Sequence, residues 1–223
     1  MKNYKKNLHL LKENNVYSDD MEHDACGVGI IASTEGKKSR KVVEYGIEAL
    51  KAVWHRGAVD ADGKTGDGAG IHVEIPKDFF IEKIEVTGHT HDNSEICVGM
   101  IFLPRNDYAA QESCKTIVES ELTKNDFSIY GWRQVPVNPK VLGEKAFQTM
   151  PEIIQVLFKP YNPELNNKDL ERKIYETRRK IENEAFKKSL NNFYICSLSS
   201  KSIIYKGMFL AEAISDFYLD LKD

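Results

Sequence analysis

The sequence of 223 residues lacks a long apolar run, a basic tract and closely spaced cysteines. No stretch approaches the roughly 18 apolar residues that a membrane-spanning helix needs, so no membrane association is expected. The net charge is −3 and the lysines are dispersed, which excludes the basic surface typical of nucleic-acid-binding proteins. Residues 1–12 are basic but lack the apolar core of a secretory signal. These absences favour a soluble, cytoplasmic globular protein.

The chain has four cysteines, and none of them forms a C-x-x-C pair. This spacing indicates neither a zinc ribbon nor an iron–sulfur site, so no metal or cofactor is predicted in this segment. Cys97, Cys114 and Cys196 lie within apolar patterns and are expected to be small buried side chains. Cys26 differs from them because Gly27 and Gly29 follow it at the start of an apolar run.

The order of apolar patterns predicts an α+β fold in a single domain. A hydrophobic content of 41% and a charged content of 29% are ordinary for a globular protein. Residues 1–25 lack sustained periodicity, end in acidic side chains and are interpreted as a detachable leader. Residues 193–198 and 203–205 are predicted to pair as a hairpin. Strands are predicted over 27–33, 71–75, 97–103, 127–137, 153–158, 193–198 and 203–205, and helices over 39–53, 76–80, 107–123, 167–188 and 210–218.

Cys26 is a candidate nucleophile if the chain is cut between Ala25 and Cys26. The thiolate is the reactive form of cysteine, and the free thiol has a pKa of about 8.5. The cut would expose an α-amine with a pKa of about 7.7–8.0, which is close to working pH, so one residue would carry both nucleophile and base. The alternative is a buried, inert cysteine at the start of a strand.

The segment from Gly57 to Gly70 is rich in glycine and aspartate. It is not a P-loop, because five residues separate Gly57 from Gly63 where that motif has four. It is a poor calcium loop as well, because no glutamate stands at the twelfth position after Asp60. We interpret it as a tight loop in which glycines allow close backbone approach and aspartates cap turns.

Three motifs in this order resemble the opening of the class II glutamine amidotransferase family. They are Cys26-Gly27-Val28-Gly29, His55-Arg56-Gly57-Ala58 and Thr65-Gly66-Asp67-Gly68-Ala69-Gly70. Blocks around Trp132, Pro136, Phe193 and Tyr205 add a likeness to the glutamate synthases. The resemblance covers residues 22–217, and several separated blocks in one order make it specific.

The resemblance implies an N-terminal-nucleophile hydrolase fold, a four-layer αββα sandwich that is incomplete at its C-terminus here. It implies that residues 1–25 are a propeptide and that residues 26–223 form the amidotransferase domain. Cys26 would attack the side-chain amide of L-glutamine, with its own α-amine as base. Arg56, Gly57, Asp67 and Gly68 would support the active site, although a cation at position 56 also suits the end of a helix.

In the whole enzyme, the resemblance implies that ammonia reaches 2-oxoglutarate at a synthase domain bearing FMN and an iron–sulfur cluster. A reducing subunit or ferredoxin would supply electrons. The family's carboxylate-binding arginine and oxyanion-hole Asn-Gly pair are expected beyond residue 223, so this chain alone is expected to be nearly inactive. Two alternatives are a non-catalytic module that folds only with its missing half, and a related amidotransferase that serves another acceptor.

Overall fold

The computed structural model describes residues 2–14, 26–54 and 57–222. Its strands are β1 (Ala69–Glu74), β2 (Cys97–Leu103), β3 (Phe127–Gln134), β4 (Glu152–Pro160), β5 (Tyr194–Ser199) and β6 (Ser202–Gly207). Its helices are α1 (Lys2–Asn14), α2 (Arg40–Ala52), α3 (Lys77–Val86), α4 (Tyr108–Lys124), α5 (Glu144–Thr149), α6 (Asn167–Lys187) and α7 (Ile214–Phe217). No helix within these described ranges has the length and apolar character needed to cross a membrane.

The larger sheet is antiparallel and has the strand order β3-β4-β2-β5. Strand β2 is apolar on both faces because it separates two cores. Cys97, Ile101 and Leu103 face the core formed with α4 and α6, whereas Val98 and Met100 belong to the other core. Alternate residues of a strand point to opposite faces, so one continuous apolar run serves both cores.

The smaller sheet pairs β1 with β6 in antiparallel register, from Ala69 opposite Gly207 to Glu74 opposite Ser202. Helix α2 packs against β1, where Gly46 lies close to the side chain of Ile71. Side chains of β6, α2 and α3 share a core with one face of the larger sheet. Antiparallel sheets with helices packed on them confirm the predicted α+β class.

Three helices begin where polar side chains cap their first turns. Ser39 accepts a hydrogen bond from the Lys41 backbone at the start of α2. Asp107 accepts one from Ala110 at the start of α4, and Asn166 caps α6. These contacts satisfy amide groups that have no partner within the helix, which fixes the helix starts close to the predicted positions.

The predicted hairpin between residues 193–198 and 203–205 is wrong. Strand β5 pairs with β2, whereas β6 pairs with β1 in the other sheet. The carboxylate of Glu171 on α6 accepts hydrogen bonds from the Ser200 amide at 2.7 Å and from the hydroxyls of Ser199 and Ser200. These bonds hold the chain at the turn between β5 and β6, which pair in different sheets.

The predicted strand over residues 27–33 is also wrong. The chain from Cys26 to Ser33 has no regular structure, and the side chains of Val28 and Ile30 are 85% and 89% exposed. A strand needs hydrogen-bonding partners in a neighbouring strand. Among the described residues, no strand pairs with this segment, so its apolar alternation alone does not produce a strand.

Two terminal segments also differ from the prediction. Helix α1 lies within residues 1–25, for which no sustained periodicity was expected, and His9 contacts Glu13 one turn along it. The helix predicted over 210–218 is divided into a 3₁₀ turn (Ala211–Ala213) and α7, after which Tyr218 bridges Val137. The bridge to Val137, which lies three residues beyond the end of β3, takes the place of helix continuation at Tyr218.

A buried ion pair joins this C-terminal segment to β3. Arg133 binds both carboxylate oxygens of Asp220, at 2.8 and 2.6 Å, and the two side chains are only 14% and 5% exposed. The guanidinium also donates to the side chain of Gln155 and lies over the ring of Phe79. Bidentate geometry of this kind is the strong form of a charge-assisted hydrogen bond.

Candidate active site

The loop that precedes β1 folds back on itself as a small hairpin. Val59 and Gly66 form an antiparallel bridge. The Asp60 amide donates to the Thr65 carbonyl at 2.9 Å, and the Asp67 amide donates to the Ala58 carbonyl at 3.2 Å. The loop is therefore ordered by its own backbone before any side chain contributes.

Asp62 closes the tip of this hairpin. Its carboxylate accepts hydrogen bonds from the Lys64 amide at 2.9 Å, the Thr65 amide at 2.7 Å and the Thr65 hydroxyl at 2.6 Å. These bonds, with the Thr65 hydroxyl the largest contributor, hold the pKa of Asp62 well below its usual range. The carboxylate is engaged in capping a turn, which confirms that interpretation of the loop.

The same loop is attached to the start of α5. Lys145 forms an ion pair with Asp60 at 2.5 Å, and the Ala146 amide lies 3.5 Å from the Thr65 hydroxyl. Gly143 packs so closely on Asp62 and Thr65 that a side chain there would overlap them. Helix α5 was not predicted, so these contacts were missed in the sequence analysis. The local sequence signal for them is the Asp-x-x-Thr spacing of Asp62 and Thr65.

The other side of the loop contacts the chain that follows β6. A Cβ atom on Gly66 would lie 2.8 Å from the backbone carbonyl of Phe209. Gly68 has a φ of +131°, which favours glycine, and its Cβ position would be 3.7 Å from the Gly207 carbonyl. These close approaches confirm the predicted role of the glycines and fix the start of β1.

The structure brings together Gly57, Asp67 and Gly68 of the predicted site. A Cβ atom on Gly57 would lie 3.4 Å from a carboxylate oxygen of Asp67, and the Asp67 side chain is exposed. Arg56, with His55, lies outside the described residues. The loop therefore presents an exposed carboxylate from a rigid backbone.

Cys26 is exposed at the start of the irregular segment that runs to Ser33. Within the described part of the chain, no hydrogen bond or ion pair joins it to the loop between Gly57 and Gly68. The alternative of a buried, inert cysteine is wrong for this position. Ala25, on the other side of the predicted cleavage point, lies outside the described residues.

The other three cysteines are buried and free, as predicted. Burial raises the pKa of the Cys114 and Cys196 thiols to about 11 and that of Cys97 well above its ordinary value. Thiols of this kind are poor nucleophiles near neutral pH. Among the described residues, no group of histidine, cysteine and acidic side chains has an arrangement that could hold a metal ion.

Comparison with known families gives a match over most of the chain. The sequence model for the family described as class II glutamine amidotransferases matches residues 26–223. The match begins at Cys26 and includes the whole loop from Gly57 to Gly70.

Individual relatives include glutamate synthases of bacteria and plants. The chain is 53% identical over 220 residues to the glutamate synthase [NADPH] large chain of Azospirillum brasilense, which covers 99% of this chain and 14% of that protein. It is 41% identical over 204 residues to ferredoxin-dependent glutamate synthase 1, chloroplastic/mitochondrial, of Arabidopsis thaliana, covering 91% of this chain and 12% of the relative. The chain thus spans only a small fraction of these relatives' length.

Proposed function

The chain belongs to the class II glutamine amidotransferases, and from this we propose that it is the glutamine-hydrolysing module of a glutamate synthase with Cys26 as nucleophile. One observation carries the assignment of the nucleophile. Cys26 is the exposed thiol at the start of the family match, whereas Cys97, Cys114 and Cys196 are buried. A cysteine nucleophile must be accessible to substrate and able to ionise.

We infer that cleavage between Ala25 and Cys26 frees the α-amine that serves as base. The amine takes the thiol proton as sulfur attacks the side-chain carbonyl carbon of L-glutamine. Collapse of the tetrahedral intermediate breaks the C–N bond, and the amine returns the proton to the departing ammonia. Water then attacks the thioester, which releases glutamate and restores the thiol.

The four-layer arrangement of the fold is also a proposal. The smaller sheet has only β1 and β6, so each strand offers an unpaired edge among the described residues. The apolar segment from Cys26 to Ser33 alternates as a strand would and lies exposed beside no partner. We propose that it adds to this sheet after the leader is removed, and that the result is the four-layer αββα sandwich.

The loop residues would then act around the thiol. The exposed Asp67 carboxylate is suited to accept a hydrogen bond from an amine, either the freed α-amine or that of the substrate. Gly57 leaves space beside this carboxylate, Gly68 follows Asp67 in the chain, and Arg56 precedes Gly57. We propose that these four residues support the active site.

The remaining steps belong to a longer protein. We propose that ammonia released here is transferred to 2-oxoglutarate in a synthase domain with FMN and an iron–sulfur cluster. NADPH and ferredoxin, which appear in the names of the relatives, are the candidate electron donors. We propose that both cofactors bind in that synthase domain.

The proposal is tested with the complete gene product that contains this chain. Intact-mass analysis should show a mature N-terminus at Cys26. A glutamine-analogue diazo-ketone should alkylate that residue and abolish ammonia release from L-glutamine. Peptide mapping locates the label.

Two variants serve as controls. Cys26→Ala should lose labelling and glutaminase activity, because the nucleophile and its sulfur are absent. Cys196→Ala removes a buried thiol of the same kind and should keep both properties. Labelling of another cysteine, or full glutaminase activity in Cys26→Ala, would refute the assignment.

A further inference from the structure

A cleft of about 780 Å³ opens at one end of the larger sheet. Its walls come from the end of β2, from α5 and the residues that follow it, and from the chain on either side of β5 and β6. None of the residues predicted to be catalytic lines it. Volumes of this size are typical of small-molecule sites.

The walls of the cleft are mainly apolar. Phe102, Met150, Phe193, Met208 and Phe217 contribute side chains to it. Such surfaces bury the apolar body of a ligand, whereas a few polar groups set its orientation. The cleft therefore favours a ligand with a hydrophobic part.

Two cations line the same cleft without a carboxylate partner among the described residues. Lys206 donates to the Tyr194 hydroxyl at 2.6 Å and lies 4.4 Å from the centre of that ring. Arg105 donates to the Phe147 carbonyl at 3.3 Å and lies 4.7 Å from the Phe147 ring. The aromatic faces hold the two cations in place and leave most of their N–H donors unused.

Asp107 is the acidic side chain of the lining. Its carboxylate already accepts a hydrogen bond from the Ala110 amide at 2.9 Å, which caps helix α4. Two cations and one carboxylate give the cleft a net positive charge, which favours a ligand with one negative charge.

We propose that the cleft binds a small carboxylate with an apolar body, its carboxylate held by Lys206 and Arg105. Both cations line the cleft, an ammonium and a guanidinium can each donate to a carboxylate oxygen, and such charge-assisted bonds are stronger than neutral ones. The hydrophobic walls would bury the rest of the molecule. This site is separate from the proposal about Cys26 and does not depend on it.

The test uses the 223-residue chain with phenylacetate as the probe. Binding is measured from the changes in amide chemical shifts in NMR spectra. Saturable shifts should occur at Phe193 and Met208. Phenylacetamide has the same shape without the charge and should bind roughly a hundredfold more weakly, because it loses a charge-assisted hydrogen bond to each of the two cations and each bond contributes roughly tenfold.

Variants identify the charged groups. Lys206→Gln and Arg105→Gln should each weaken phenylacetate binding roughly tenfold and leave phenylacetamide binding unchanged. Lys206→Arg keeps the positive charge and should retain phenylacetate binding. It therefore tests the role of the charge even if Lys206→Gln does not fold. Lys188→Gln, which neutralises an exposed lysine at the end of α6, is the matched control and should have no effect.

Three outcomes would overturn the proposal. Equal binding of phenylacetate and phenylacetamide would show that the cations do not recognise a carboxylate. Equal losses in Lys188→Gln and Lys206→Gln would indicate a general charge effect. Inorganic phosphate that shifts the same resonances at lower concentration than phenylacetate would assign the cleft to phosphate instead.

Discussion

Alkylation of the native chain with iodoacetamide should modify Cys26 and spare the other three cysteines. Cys26 is exposed, whereas Cys97, Cys114 and Cys196 are buried in strands or helices. Alkylation requires both access to the sulfur and the thiolate form. The four thiols of one chain therefore form an internally controlled test of the candidate nucleophile.

The expected selectivity follows from the raised pKa values. Burial moves the pKa of Cys114 and Cys196 from 9.0 to about 11. At pH 8 this lowers their thiolate fraction from roughly 0.1 to roughly 0.001, about a hundredfold, before restricted access is considered. Burial also raises the pKa of the Cys97 thiol well above its ordinary value.

The assay is a time course at pH 8, with peptide mass spectrometry to locate the added group. When Cys26 is half modified, each of the three buried cysteines should be modified to about 1% or less. In concentrated guanidinium chloride all four should react, which controls for detection. Modification of Cys114 or Cys196 at a rate similar to that of Cys26 in the native chain would refute the reasoning.

Three further variants test the packing around the site, each by thermal or chemical unfolding. Asp220→Ala should cost about 3–5 kcal/mol, because it leaves a buried guanidinium unpaired, whereas Glu176→Ala, in an exposed pair, should stay within about 0.5 kcal/mol. The pKa of Asp62 is lowered from 3.8 by its hydrogen bonds, so its contribution is present above about pH 4 and lost on acidification. Asp62→Asn should therefore flatten the fall of Tm below pH 4, and an unchanged profile would contradict that role. Gly66→Ala should cost about 1–3 kcal/mol through overlap with backbone; Gly29→Ala, which meets open space, should stay within about 0.5 kcal/mol.

Helices and buried strands were predictable from the sequence because their causes are local. Ser39 caps α2 where a cap was predicted, and the apolar stripe of α6 is buried at Leu170, Ile174 and Ile181. Strand β2 has its predicted limits because both of its faces are apolar. In each case neighbouring residues carry the information.

Strand pairing was less predictable because it depends on residues far away in the sequence. The turn after Ser199 resembles a hairpin turn locally, but β5 pairs with β2 and β6 pairs with β1, and the carboxylate of Glu171 on α6 binds the turn from outside both strands. The segment after Cys26 has the alternation of a strand and no described partner. Local pattern specifies which residues can form a strand, not which neighbour accepts it.

The candidate site was also only partly predictable from the sequence. The family resemblance noted from the motifs at Cys26, Arg56 and Asp67 is confirmed, and the exposed Cys26 was distinguished from three buried cysteines. The roles of Arg56, Gly57, Asp67 and Gly68 stay predictions. The attachment of the loop to α5 through Asp60 and Lys145 could not be predicted, because the partners lie about 80 residues apart.

Strand β1 has a consequence for biosynthesis. Its partner β6 begins at Ser202, which is 128 residues (202 − 74) after the last residue of β1, Glu74. A ribosome that adds about 5–20 residues per second would need on the order of ten seconds to deliver that partner. During this interval the nascent β1 would expose unpaired amide and carbonyl groups, and we expect chaperone contact to concentrate there.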